Sequence, residues 1–162
     1  MKRYPLQTLL KLRAHRTETA RLAVLEKQRA AAVCREECQR IGSEIEALGR
    51  ERADHRARLL DAPPAGVPWP VALEHREAHI ELLGEHIVAA QARLQAAQAR
   101  LREAEQALET AKQAYFRAKA REDALEKRKR VWRDEQFALE AHQEEDAAAD
   151  LLLARYIAPG SH

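Results

Sequence analysis

The sequence is poor in the residues from which compact enzymes and secreted scaffolds are built. Its 162 residues include only 2 Cys, 5 Gly, 6 Pro, 2 Trp, 3 Tyr and 2 Phe. So few aromatic side chains leave little bulk for a globular core. Scarce glycine and proline disfavour the many turns of a β-sandwich or an α/β enzyme. Cys34 and Cys38 lie four apart in one helical stretch, a spacing unsuited to a structural disulfide, so a reduced compartment is expected. No glycine stands in a phosphate-binding loop, and neither G-x-S-x-G nor H-E-x-x-H occurs. We therefore expect no catalytic residues, no cofactor and no enzymatic activity. No apolar run approaches the roughly 20 residues needed to span a bilayer. The basic start Met1-Lys2-Arg3 has no apolar run behind it, because Gln7, Lys11, Arg13 and Arg16 interrupt. The expectation is a cytoplasmic protein without direct membrane insertion.

What is abundant is helix-forming. Ala (33), Leu (20), Glu (20), Arg (21) and Lys (7) supply 101 of 162 residues, a composition typical of long helices and coiled coils. Hydrophobic content of 46% is too high for a disordered chain. Four of the six prolines fall within Ala62-Pro63-Pro64-Ala65-Gly66-Val67-Pro68-Trp69-Pro70. Proline lacks a backbone donor and clashes with the preceding turn, so this stretch reads as a loop, 62–70. Helices are expected over about 6–61 and 71–157, roughly 85 and 130 Å long. Pro5 suits a first helical turn and Pro159 a stop. Gly160-Ser161-His162 reads as a cloning scar.

The apolar pattern repeats every seven residues. In the second helix the 3-4 row is Ile80, Leu83, Ile87, Ala90, Leu94, Ala97, Leu101, Ala104, Leu108, Ala111, Tyr115 and Ala118. Every position is apolar, which is a coiled-coil signature. Its alanines should let a partner approach closely, with Ala92 and Ala99 off the seam. The first helix carries a row broken by polar residues: Leu6, Leu10, Arg13, Thr17, Ala20, Val24, Lys27, Ala31, Cys34, Cys38, Ile41, Ile45, Leu48, Arg52, His55 and Leu59. Two long helices joined by a short stiff loop predict a single all-α domain, an antiparallel coiled-coil hairpin with the second helix longer. Turning symmetrically about residue 66, position i should face 132 − i. Leu6 would then face Glu126, leaving about thirty residues of the second helix unpartnered.

Charge is segregated along this frame. Residues 134–162 hold one basic and seven acidic groups. Just before them stands the basic run Lys127, Arg128, Lys129, Arg130 and Arg133, with Trp132 and Phe137 beside it. Apolar surface without a helical partner, here Val131, Trp132, Phe137, Leu139, Leu151, Leu152, Leu153, Tyr156 and Ile157, points to a binding surface. Glu122, Asp123, Glu126, Asp134 and Glu135 flank the basic run and would repel phosphate, so nucleic acid is not the expected partner. Cys34 and Cys38 read as small seam hydrophobes. His75 and His79, with His55 brought near, resemble a metal set, but exposed histidines near a helix start account for them. No metal is expected. Trp69 is either a cap on the hairpin end or an exposed contact.

The opening run Leu6-Gln7-Thr8-Leu9-Leu10-Lys11-Leu12-Arg13, with Arg16, Glu18 and Ala20, resembles the start of the FliJ/YscO family. The resemblance extends to length, the helix–proline loop–longer helix plan and the charged part around Lys127–Glu145, and the virulence YscO branch looks nearer. It implies a cytoplasmic protein of a type III secretion system, peripheral to the inner-membrane apparatus. Such a protein would be a central stalk in the export ATPase hexamer, with the cytoplasmic domain of the export gate and secretion chaperones as further partners. No single contact residue follows from the resemblance; the cations and aromatics of the unpartnered end, Lys127, Arg128, Lys129, Arg130, Trp132, Arg133 and Phe137, with Lys11, Arg13 and Arg16 facing their base, are the expected partner-binding residues. A general coiled-coil scaffold or homodimer is the alternative, and a basic helical nucleic-acid binder a third reading.

Overall fold

In the computed structural model residues 2–157 are described, so Pro159 and the supposed scar lie outside them. Two helices, α1 (Gln7–Ala57) and α2 (Trp69–Ile157), pack as an all-α hairpin joined by cross-helix ion pairs. Among the described residues there is no strand.

Both loop-side boundaries differ from those read in the sequence. The end of α1 loosens early: Leu59 N–H reaches the Arg56 carbonyl at 3.3 Å and Asp61 N–H the Arg58 carbonyl at 3.1 Å. These are i→i+3 turns, not α-helix. At the other side, Ala72 N–H bonds to the Pro68 carbonyl at 3.0 Å, so α2 begins at Trp69 with Pro70 in its first turn. A first-turn N–H has no intrahelical partner, so proline loses nothing there. Between them Val67 N–H reaches the Pro64 carbonyl at 3.1 Å, and Gly66 has φ 85°. That is the third residue of a type II turn, where a Cβ would be strained. Pro5 lies in the turn closed by Gln7 N–H on the Tyr4 carbonyl, just ahead of α1.

The chain divides into two compact units. One runs from Ala23 to Lys112 and contains the loop. Its seam holds Ala31, Ile41, Leu83, Ile87, Ala90 and Ala97 as buried residues. Cys34 and Cys38 are free and half-buried in the same row. Arg93 grips Glu44 through two bonds at 2.7 and 3.2 Å, and Arg100 reaches Glu37 at 2.9 Å. The numbers of each pair add to 137, not the expected 132. The turn is asymmetric, and Arg76 shows why. Its Nη1 donates to the carbonyls of Arg58 (3.4 Å), Leu59 (2.9 Å) and Asp61 (2.6 Å), anchoring the turns that follow α1 beside Arg76. A symmetric loop would have set those turns against residues 71–74. The Arg76 guanidinium also lies 5.9 Å from the centre of the Trp69 ring, so Trp69 belongs to the cap on this end and remains partly exposed.

The other unit joins the beginning of α1, through Leu22, to α2 from Gln113 onward. Here Leu10 and Leu125 are buried. Thr17 is buried too, and its hydroxyl donates to the Arg13 carbonyl at 3.0 Å, so a polar seam position leaves no unsatisfied group. Arg13 lays its stem in the seam and donates from Nη1 to the Arg121 carbonyl at 3.0 Å.

All twelve seam positions read from α2 are buried or half-buried. Ala99, expected off the seam, is half-buried as well, whereas Ala92 is exposed. Ala→Leu at Ala90 or Ala97, both 0% exposed, should overpack the interface and cost about 1–3 kcal/mol. The same change at Ala92 should cost little, since leucine is a good helix former. Thermal melts followed by circular dichroism compare the sets, and equal shifts would place the seam elsewhere. A second expectation concerns pH. The hydrogen bond from Arg93 holds the Glu44 carboxyl below the usual carboxylate range. A depressed carboxylate stabilises the fold above its unfolded value and loses that contribution as pH falls through the folded one. Glu44→Gln should therefore flatten the acid limb of the stability profile slightly, with no change near neutrality in its shape.

Candidate partner-docking surface

A turn closed by Gln7 N–H on the Tyr4 carbonyl precedes α1, and residues 2–6 line grooves together with α2. Tyr4 is buried, 8% exposed, and its ring lies 5.5 Å from that of Trp132 at 54°, within the range of favourable aromatic pairs. The Tyr4 hydroxyl is buried without a hydrogen-bond partner among the described residues. Trp132 is therefore not the unpartnered aromatic that the symmetric register implied. Leu6 shares a groove with Val131, not Glu126.

Two grooves adjoin this aromatic pair. One, of about 480 Å³, gathers Lys2, Arg3, Lys11, Lys129 and Arg133, with no acidic residue in its lining. The other, of about 420 Å³, is lined by Pro5, Leu6, Lys127, Arg128, Val131 and Glu135. The first is suited to an acidic partner, because clustered cations in a concave surface focus the field outward. The second offers apolar contact beside two cations.

The residues expected to bind partners therefore separate. Lys11, Lys129 and Arg133 come together in the basic groove, and Lys127 and Arg128 in its neighbour. Trp132 lines both. Arg13 is occupied by its bond to Arg121. Arg16 and Arg130 are exposed and line neither groove. Phe137 is exposed beyond them. Lys2, Arg3 and Tyr4 were missed, although the run of two cations and an aromatic was visible. Only the shifted register brings it to residues 129–133. Gln136 is the last half-buried residue, and from Phe137 to Ile157 every residue is exposed. The unpartnered part of α2 is thus about ten residues shorter than expected. Its apolar groups, Leu139, Leu151, Leu152, Leu153, Tyr156 and Ile157, are all exposed. No helix among the described residues is long and apolar enough to cross a membrane.

A two-helix hairpin whose second helix outlasts its partner and carries basic, aromatic and acidic segments in turn has the make-up of a helical interaction protein. The profile of the YscO-like family matches residues 1–157. The chain belongs to the YscO-like family, a non-enzymatic family associated with type III secretion. A solved structure from Chlamydia trachomatis, CT670, described as a YscO homologue, superposes with a TM-score of 0.79 at 21% identity, covering 100% of both chains. At that identity the likeness is one of fold. No curated protein matches the sequence.

The aromatic pair predicts a fluorescence response. In a Trp69→Phe background, Tyr4→Ala should shift Trp132 emission to the red, because its ring gains water. Tyr4→Phe should leave it unchanged, since the ring stays and the hydroxyl has no partner. Identical spectra for Tyr4→Ala and its parent would show that the pair does not form.

Proposed function

We propose that this protein is a non-enzymatic stalk and adaptor of a bacterial type III secretion system. It acts in the cytoplasm, peripheral to the inner-membrane apparatus. In this reading it binds the export ATPase hexamer, regulates its activity and links it to the export gate and to secretion chaperones. Membership of the YscO-like family carries the proposal. The hairpin with a longer, partly unpartnered second helix supports it, because a single asymmetric helix pair touches identical ring subunits unequally. Ligands that differ in affinity for two subunit states shift their populations, and unequal contacts do the same.

Docking is assigned to the end that carries the two grooves and Phe137. Cations there steer an acidic ring surface into place, and the exposed aromatic supplies apolar contact once docked. The test uses a purified type III export ATPase from the same bacterium. Replacing Arg128, Arg130 and Arg133 with Glu, or Phe137 with Ala, should cut stimulation about tenfold, equivalent to roughly 1.4 kcal/mol of binding, with helicity intact. Trp132→Ala is a poorer probe, since it also removes the support for Tyr4. Trp69→Ala, at the loop, should stimulate normally. The reverse pattern would invert the docking polarity. An ATPase indifferent to the wild type would leave a general coiled-coil scaffold as the function.

A further inference from the structure

The unit containing the loop brings three potential ligands together across the helix pair. Glu51 and His55 stand one turn apart on α1, and His79 faces them from α2. Nε2 of His55 lies 4.0 Å from Glu51 Oε1, and Nε2 of His79 lies 3.9 Å from the same oxygen. The two imidazole rings meet edge-on with centres 4.5 Å apart. One ligand atom from each residue falls within 4.8 Å of the others. His75, which the sequence pattern grouped with His79, is exposed and stands outside the set.

These distances are too long for hydrogen bonds, and Glu51 forms an ion pair with either imidazole only when that ring is protonated. Imidazole nitrogens and a carboxylate carry lone pairs, and lone pairs gathered at one place favour a shared cation. A zinc-type ion with bonds of about 2.0–2.1 Å to nitrogen and oxygen sets its ligand atoms roughly 3.3 Å apart. The two carboxylate edges stand at 3.9–4.0 Å and no pair of ligand atoms is more than 4.8 Å apart, so side-chain rotations of about an ångström or less bring the set to that spacing. The side chains are 40–51% exposed, so an ion has a direct path in. The i, i+4 pair on one helix fixes two ligands on a common face, and the third comes from the partner helix. His55 also occupies a seam position where an aliphatic residue would pack better, a local departure from the pattern of the kind that marks sites.

We infer that Glu51, His55 and His79 form a binding site for one divalent transition-metal ion of the zinc type. Two imidazoles and a carboxylate suit such an ion better than the hard cations magnesium or calcium, which take oxygen ligands. The fourth coordination position is left to water or to a partner's ligand. Bound there, the ion ties α1 to α2 a short distance from the loop. It therefore stabilises the hairpin, because the ligands are brought together only in the folded chain.

The experiment uses the full chain without a histidine tag. Zinc chloride is titrated by calorimetry, and melting is followed by circular dichroism with and without the metal. The expected result is one zinc per chain. At a free concentration about a hundred times Kd, the melting temperature should rise by roughly 5 °C or more. His55→Ala and His79→Ala should each weaken binding by at least about tenfold, the least that disturbing even an outer-shell partner costs. Glu51→Gln should weaken it while keeping side-chain size, which guards against a mere folding defect. His75→Ala and His86→Ala should bind as the wild type does. Magnesium at the same concentration should not raise the melting temperature. Absence of binding at one equivalent would overturn the assignment, as would equal affinity in the His55→Ala/His79→Ala double variant. Loss of binding in His75→Ala would assign the ion to different ligands.

Discussion

Nearly everything in this structure depends on one constraint: a helix alone cannot bury its apolar row, so α1 and α2 must supply one another's cover. The row in α2 alternates large residues with alanine, and where alanine falls the helices come close enough to exclude water entirely, as at Ala90 and Ala97. The row in α1 is broken by Arg13, Thr17, Lys27, Arg52 and His55, yet these positions are also buried or half-buried. Each observed solution is chemical. Thr17 bonds to its own helix, and Arg13 carries its charge out to a carbonyl of the partner. The seam thus tolerates polar residues wherever the polar atom has somewhere to go.

Register follows from the ends rather than from the row. A seven-residue repeat permits more than one pairing, offset by about two helical turns. The choice falls to polar contacts: Arg76 on three carbonyls, Arg93 on Glu44, Arg100 on Glu37. Exposed ion pairs contribute little to stability singly, but they need only separate alternatives of nearly equal energy. In the other unit Tyr4 stands beside Trp132, and Lys2 and Arg3 join Lys129 and Arg133. The basic groove is lined by residues from both sides of that pairing.

The family gives this surface a context in type III secretion, and the exposed stretch from Phe137 to Ile157 gives it an apolar and acidic neighbour. An interaction protein needs surface that its own fold leaves uncovered. Here the cover runs out because α1 is shorter than α2, 51 residues against 89. The same length difference leaves these apolar groups exposed and open to a partner.

The sequence alone determined the two helices, the apolar rows and the absence of a sheet, because period and composition are local properties written residue by residue. It also carried the family likeness in its opening run and its charge order. It did not determine where α1 ends or where α2 begins, since proline at 70 is forbidden in a helix interior and welcome in a first turn. Nor did it determine the register, which rests on contacts between residues far apart in the chain. For that reason Trp132 reads as unpartnered in the sequence and is paired in the fold. Likewise Glu51 joins His55 and His79, and His75 drops out of the set, only when the two helices are laid side by side.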